Sequence, residues 1–145
     1  MEGGERRIQD SELIEGLLDF DAKDVMGDFW GLSMSDFRQK LEEVESMDLM
    51  FTYSIVSAKG FAFFFPAIDD YARSLASDGD FMFPGPFAHA VENQLRINSE
   101  AVLAVENQVR SLCQYLLAQL EKFDLDEKWK GETSATLVRV LKALG

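Results

Sequence analysis

The stretch SAKGFAFFFPAIDDYARSL, residues 57–75, decides the fold of this chain. If Ser57 caps a helix, the apolar residues that follow recur at spacings of three and four and form one stripe. The members of this stripe are Phe61, Phe64, Phe65, Ile68, Tyr71, Ala72 and Leu75. A proline inside a helix costs about 3 kcal/mol, so we expect the helix to bend at Pro66.

A β-hairpin is the alternative structure for the same region. Alternate residues of a strand share a face, as Phe61, Phe63 and Phe65 would, and residues 51–55 alternate in the same way. The strand pattern stops at Pro66, whereas the helical stripe continues to Leu75. The sequence therefore favours the helix.

Patterns elsewhere in the chain also predict helices. Asp10 or Ser11 can cap a first helix with Leu13, Ile14, Leu17 and Leu18 inward, and Ser33 to Asp36 can cap a second with Phe37, Leu41 and Val44 inward.

Residues 81–87 hold two prolines and a glycine, so we expect an irregular apolar segment that covers the core or contacts a partner. A short helix over residues 88–95 should follow. A helix of about 36 Å should begin at Asn98 or Ser99 and reach Phe123, and a last helix should begin near Thr133 or Ser134, with Leu137, Val138, Leu141 and Leu144 buried.

Three segments together resemble a known family: FWGLSMSDF (residues 29–37), SAKGFAFFFPA (57–67) and NSEAVLAV (98–105). The family consists of small bacterial α-helical proteins with a domain of unknown function, whose central helix reads approximately S-P-E-A-F-x-Y-x-x-P-A. This chain has Ala58 where the family has proline, and Gly60 where it has alanine. The resemblance implies a helical fold and no known reaction.

Length and composition predict the overall organisation. The 145 residues suit one all-α domain, residues 1–145, in which five to six helices surround a proline-kinked central helix and residues 1–8 are flexible. The single cysteine, Cys113, excludes an internal disulfide, and the first residues contain no apolar run typical of a signal peptide. We therefore expect a soluble, cytoplasmic protein.

The net charge of −12 is unevenly distributed along the chain. Residues 1–95 hold 19 acidic and 7 basic residues, whereas residues 96–145 hold seven of each. Such a surface repels nucleic acid and anionic membranes, so the sequence predicts neither as a partner. The acids either keep a phenylalanine-rich protein in solution or form a face that binds a basic protein.

The densest acidic segment spans residues 10–28, with seven acids and one lysine. Phe63 lies off the apolar stripe of the central helix, so it is either covered by the N-terminal helices or exposed as an interface anchor. The candidate partner-binding residues are Glu12, Glu15, Asp19, Asp21, Asp24, Asp28 and Phe63.

Residues suited to catalysis are sparse. His89 is the only histidine, Cys113 lies on an apolar helix face, and no phosphate-binding, nucleophile-elbow or zinc-protease motif occurs. We therefore expect no catalytic residue, no cofactor and no metal, and we consider an enzyme the less favoured class.

Two function classes, and one structural alternative, agree with these observations. The first is a non-catalytic acidic interaction module, such as an inhibitor or immunity-type protein that covers the basic site of its partner. The second is an enzyme or small-molecule-binding protein with a site near Tyr53, Tyr71 and His89 and the acids at Asp69 and Asp70. The structural alternative is a homodimer that forms through residues 81–87.

Overall fold

The computed structural model describes residues 6–145, which form nine α-helices and two short 3₁₀ segments but no β-strand within that range. The predicted all-α class is confirmed, and there are more helices than the five to six expected. The α-helices are α1 (Asp10–Leu13), α2 (Asp19–Phe29), α3 (Met34–Glu43), α4 (Ser46–Tyr53), α5 (Ala58–Arg73), α6 (Pro84–Ile97), α7 (Ser99–Leu103), α8 (Glu106–Ala118) and α9 (Glu127–Leu144). The 3₁₀ segments are Leu75–Ser77 and Leu120–Phe123.

The central helix α5 follows the predicted apolar stripe. Its N-cap is Ser57, whose Oγ accepts a hydrogen bond from the Gly60 amide at 3.1 Å, and it continues through Pro66 as one helix. The ring of Pro66 faces solvent. The alternative hairpin is absent, because residues 51–53 belong to α4. The expected bend at Pro66 stays a prediction.

Aromatic rings from α2, α3 and α4 pack against the apolar stripe of α5 and form part of the core. Phe64 stacks on Phe29 of α2, with ring centroids 5.2 Å apart, and lies 4.7 Å from Phe37 of α3. One turn earlier on the same stripe, Phe61 stacks on Tyr53 of α4 at 4.8 Å. The central helix therefore holds the N-terminal helices and α4 together.

Three apolar residues that the sequence predicts to point inward are exposed. Leu18 is 65% exposed, because it is the N-cap of α2 rather than part of a continuous first helix. Val44 is 44% exposed at the C-cap of α3, and Leu75 is 86% exposed because α5 ends at Arg73. The prediction that these three residues are buried was wrong, because in each case the apolar pattern in the sequence extends beyond the end of the helix.

The segment 81–87 is only partly irregular. Helix α6 begins at Pro84, so the prediction that residues 84–87 are non-helical was wrong. The first amides of a helix have no partner within the helix, so prolines fit there at little cost. Phe83 and Phe87 are buried, whereas Phe81 is 45% exposed. The segment thus contributes to the core at its C-terminal end and to the surface at its start.

Two helix boundaries in the C-terminal third differ from the sequence prediction. The predicted helix from Asn98 to Phe123 is divided, because α7 ends at Leu103 and α8 begins after Val105, its N-cap. The last helix begins before the predicted Thr133 or Ser134, since Asp126 accepts a hydrogen bond from the Trp129 amide at 2.8 Å. Val138, predicted to be buried, is 39% exposed.

The predicted flexible segment, residues 1–8, lies partly outside the described residues. Within the part that is described, Ile8 is 5% exposed and belongs to the core. Arg7 donates a hydrogen bond to Asp36 of α3 at 2.9 Å, and an isolated bridge joins Arg7 to Ser33. Arg7 therefore packs against the N-terminal end of α3, while Ile8 is buried in the core.

Candidate functional sites

Four of the seven acids in residues 10–28 contact neighbouring parts of the chain. Lys59 of α5 pairs with Glu15 at 3.6 Å and with Glu12 at 3.9 Å. The Asp10 carboxylate accepts a hydrogen bond from the Trp30 indole N–H at 3.2 Å, and that of Asp28 accepts one from the Thr52 hydroxyl. These contacts connect α1 to α2 and α5, and α2 to α4, which gives the four acids a structural role.

The remaining acids, Asp19, Asp21 and Asp24, lie on α2 and form no ion pair within residues 6–145. Phe20 lies among them in the sequence and is 66% exposed. Asp24 follows Phe20 by one helical turn, so their side chains are neighbours on the helix surface. We call the exposed surface formed by Asp19, Phe20, Asp21 and Asp24 the α2 face.

Phe63, the proposed interface anchor, is half-buried. Its ring contacts Phe64 edge-on, with centroids 4.9 Å apart, and the guanidinium of Arg6 lies over it at 5.0 Å. The N-terminal segment thus partly covers Phe63, which agrees better with packing than with an exposed anchor. Two aromatic residues of this region are exposed, Phe20 (66%) and Trp30 (63%), and the indole N–H of Trp30 is bound by Asp10. Phe20 was not among the residues that the sequence predicted for a partner site.

Tyr53 and Tyr71 do not meet His89 in one pocket. Tyr53 is fully buried, and its hydroxyl donates a hydrogen bond to the Phe61 carbonyl at 2.6 Å. The Tyr71 hydroxyl donates to Asp80 at 2.5 Å, while His89 is exposed on α6. Burial raises the pKa of Tyr53 well above its ordinary value, and burial followed by the bond to Asp80 does the same for Tyr71.

Asp69 and Asp70, the acids of the same alternative, are engaged in ion pairs. Asp69 accepts from Arg73 at 2.9 Å, one turn along α5, and Asp70 accepts from Arg38 of α3 at 2.8 Å. Arg38 also lies over the Tyr71 ring at 5.3 Å. The contacts of Arg38 hold α3 against α5, whereas the pair of Asp69 and Arg73 lies within α5. Neither acid contacts His89.

Asp80 has a structural role that the sequence analysis missed. Its carboxylate accepts hydrogen bonds from the hydroxyls of Tyr71 and Ser46 and from the Met82 amide, the last two at 2.8 and 3.2 Å. It therefore fixes the segment before α6 to α4 and α5. Only the tertiary structure brings these donors together, since Ser46 precedes Asp80 by 34 residues.

A groove of about 620 Å³ lies where α4, α6 and α9 approach one another. We call it the α4–α6–α9 groove. Each helix contributes one stripe of residues at helical spacing, and the segment before α6 and the turn before α9 complete the walls. The lining residues are Met47, Met50, Phe51, Ser54, Phe81, Met82, Gly85, Pro86, His89, Ala90, Asn93, Leu125, Trp129, Glu132, Thr133 and Thr136.

Exposed aromatic rings border the groove. Phe51 is 65% exposed on α4, and Phe81 and Trp129 form a tilted pair with centroids 6.1 Å apart. Three of the six methionines of the chain, Met47, Met50 and Met82, line the walls. Methionine adapts readily to the shape of a bound group, so such walls suit a variable apolar ligand.

The Thr133 side chain in the groove wall has no hydrogen-bond partner among the described residues. Thr133 is 4% exposed, and its hydroxyl forms no hydrogen bond within the described part of the chain. It lies close to the backbone of α6, since a Cβ atom added to Gly85 would be 3.2 Å from Thr133 Oγ1. Among the described residues, the buried side-chain oxygen without a partner is Gln94 Oε1, so the Thr133 hydroxyl still contacts solvent in the groove and is available to a ligand.

The described residues contain no group of three or more His, Cys, Asp or Glu side chains that could hold a metal ion. Cys113 is buried, and burial raises the pKa of its thiol to about 12. Of the helices in residues 6–145, none combines the length and apolar character that crossing a bilayer requires.

No protein-family model matches this chain, and comparisons with curated proteins and with solved structures found no match either. The resemblance to a family of small bacterial helical proteins stays a prediction.

Proposed function

We propose that this protein is a non-catalytic, acidic interaction module whose α2 face binds a basic protein partner, as an inhibitor or immunity-type protein would. One observation carries the proposal: Phe20 is 66% exposed on a helix whose acids Asp19, Asp21 and Asp24 form no ion pair within residues 6–145, and Asp24 lies one turn from it. An exposed aromatic ring surrounded by charge is typical of a binding hot spot. The partner would offer an apolar pocket with lysines or arginines around it.

Helix stability explains only part of the α2 face. Asp19 and Asp21 lie in the first turn of α2, where each acid stabilises the helix by about 0.3–1 kcal/mol through its interaction with the helix dipole. Asp24 lies beyond that turn, and the exposed ring of Phe20 gains little from folding because water still covers most of it. Phe20 and Asp24 are therefore the residues that favour a binding role.

The proposed setting is the cytoplasm. The single cysteine is buried and forms no disulfide in the chain, which suits a reducing compartment. Fractionation of the source cells, followed by immunodetection of the protein, tests this part of the proposal.

The test begins by capturing partners from the source cells on the immobilised protein and identifying them by mass spectrometry. A captured protein is then prepared in pure form, and its Kd is measured for the wild type and for two variants. The first variant is Phe20→Ser, which removes the apolar anchor. The second is a triple charge reversal to lysine at Asp19, Asp21 and Asp24, the three acids of the α2 face.

We expect a basic partner whose Kd rises at least about 10-fold for Phe20→Ser and about 100-fold for the triple variant, because the hot spot and the complementary charge are lost. The association rate of the wild type should fall as salt increases. A matched triple reversal to lysine at Glu45, Glu100 and Glu127 makes the same change in net charge elsewhere, and Glu127 matches Asp19 as a first-turn acid. This control should leave the Kd within about threefold.

Circular dichroism must show that all variants remain helical. If both triple variants weaken binding equally, total charge rather than the α2 face determines affinity. A captured partner that binds Phe20→Ser as tightly as wild type would also contradict the proposal.

The alternative function, a small-molecule site near Tyr53, Tyr71 and His89, receives less support. Tyr53 and Tyr71 are held in the core by hydrogen bonds to Phe61 and Asp80, and neither lines the α4–α6–α9 groove. Only His89 does. A ligand in the α4–α6–α9 groove would therefore contact His89 but neither of the two tyrosines.

A further inference from the structure

The α4–α6–α9 groove has the dimensions and the lining of a ligand site. Its volume of about 620 Å³ lies within the range of roughly 300–1,000 Å³ that is usual for small-molecule pockets. Residues Trp129 to Thr136 line one wall, which gives a length of about 10 Å along α9. Such pockets combine apolar walls with a few polar groups that orient the ligand.

The polar groups of this groove converge at the N-terminal half of α9. Trp129, Glu132 and Thr133 follow one another at spacings of three and four from the first, so they share one side of the helix. They offer an aromatic face, a carboxylate and a hydroxyl that forms no hydrogen bond within the described residues. An ammonium group has three N–H donors and is attracted to the face of an indole ring, so it satisfies all three.

The charge around the groove favours a cation. Glu132 is the only described lining residue with a formal charge, and no lysine or arginine lines the walls. Lys128 precedes Glu132 by one turn but forms no ion pair with it. Arg139 reaches the Thr136 hydroxyl at 3.0 Å, yet its guanidinium is paired with Glu92 at 2.7 Å. The polar end of the groove is therefore net negative.

We propose that the α4–α6–α9 groove binds a small organic cation with an apolar body and one ammonium group. The ammonium lies between Glu132, the Thr133 hydroxyl and the Trp129 ring, and the apolar body lies against Met47, Met50, Phe51 and Met82. This site is independent of the proposed partner interface, because the α2 face contributes none of the groove residues.

Tryptophan fluorescence can report binding in the groove directly. The chain has two tryptophans, Trp30 at the end of α2 and Trp129 in the groove, so a Trp30→Phe variant leaves Trp129 as the sole emitter. This variant is titrated with decylammonium, decanol and decanoate, all below their aggregation concentrations. We expect a saturable change with decylammonium at one equivalent per chain, and a Kd at least about 10-fold weaker for decanol and for decanoate.

Paired variants separate the groove from the general negative charge of the protein. Glu132→Gln removes the groove carboxylate, while Glu127→Gln makes the same change on the same helix outside the groove. In the Trp30→Phe background, Glu132→Gln should weaken decylammonium binding at least about fivefold, and Glu127→Gln should change it less than twofold. Thr133→Val, which keeps the shape of the side chain, should weaken it about threefold or more. Circular dichroism confirms that each variant folds.

Several results would overturn the proposal. Equal weakening by Glu132→Gln and Glu127→Gln would mean that the cation binds the acidic surface in general. Equal affinity for decylammonium and decanoate would refute the preference for a cation. No change in Trp129 emission would refute the location of the site in the groove. A dimeric mass in light scattering that Phe51→Ser and Phe81→Ser convert to a monomer would show that a second copy of the chain occupies the groove instead.

Discussion

Two helical glycines should respond in opposite ways to replacement by alanine. Glycine in a helix interior costs about 1 kcal/mol relative to alanine. Gly131 lies inside α9, and a Cβ atom there would meet nothing within 4 Å. Gly131→Ala should therefore raise the free energy of unfolding by about 0.5–1 kcal/mol.

Gly60 lies in the first turn of α5, where space is lacking. A Cβ atom there would be 2.5 Å from Val56 Cγ2, 3.3 Å from Ser57 Oγ and 3.4 Å from Leu13 Cδ1. Val56 is buried and β-branched, so it can rotate little to relieve the overlap. Overpacking of this kind costs about 1–3 kcal/mol, which exceeds the gain in helix propensity. Gly60→Ala should therefore lower the free energy of unfolding by about 1 kcal/mol.

A double-mutant cycle isolates the contact that causes this effect. Val56→Ala removes Cγ2, so in that background Gly60→Ala should become neutral or stabilising, with a coupling energy of about 1–2 kcal/mol. Urea unfolding followed by circular dichroism measures all four free energies. Thermal unfolding should show a shift of about 3 °C per kcal/mol for a chain of this size. If Gly60→Ala stabilises the protein as Gly131→Ala does, or if its effect is the same with and without Val56, the packing argument fails.

Two further predictions concern buried titratable groups. Tyr71→Phe removes a hydrogen bond to the Asp80 carboxylate, so urea unfolding should show a loss of about 1.5–3 kcal/mol. The pKa of the Tyr71 hydroxyl is raised in the folded state, so as pH increases the unfolded chain loses this proton before the folded chain does. The contribution of the Tyr71 hydroxyl to the free energy of unfolding is therefore complete below about pH 10 and declines above it. The decline should be smaller in Tyr71→Phe, and an identical pH profile for both proteins would contradict this reasoning. Burial raises the pKa of the Cys113 thiol to about 12. A maleimide at pH 8 should therefore label this thiol in urea but not in buffer. Labelling at similar rates in both solutions would show that the thiol is accessible in the folded protein.

Local patterns in the sequence determined the helical class and the central helix. The apolar stripe of residues 57–75 and the cap at Ser57 depend on residues within four positions of one another, so they can be read without tertiary information. The cap at Ser33 is a similar case, since its hydroxyl accepts from the Asp36 amide at 3.1 Å and Asp36 accepts from the Ser33 amide at 3.0 Å. Helix ends were predicted less well where an apolar pattern continues past the end, as at Leu75.

Only the tertiary structure decided which of these residues form surfaces that can bind a partner or a ligand. Glu15 is paired because Lys59 lies beside it, 44 positions along the chain, while Asp24 on the neighbouring helix has no such partner. The groove likewise joins Met47, Gly85 and Thr133 from three helices. Periodicity predicts which side of one helix is apolar, but whether another helix covers that side depends on packing between distant segments. The acidic character of the chain therefore follows from its sequence, and the α2 face and the groove follow from its fold.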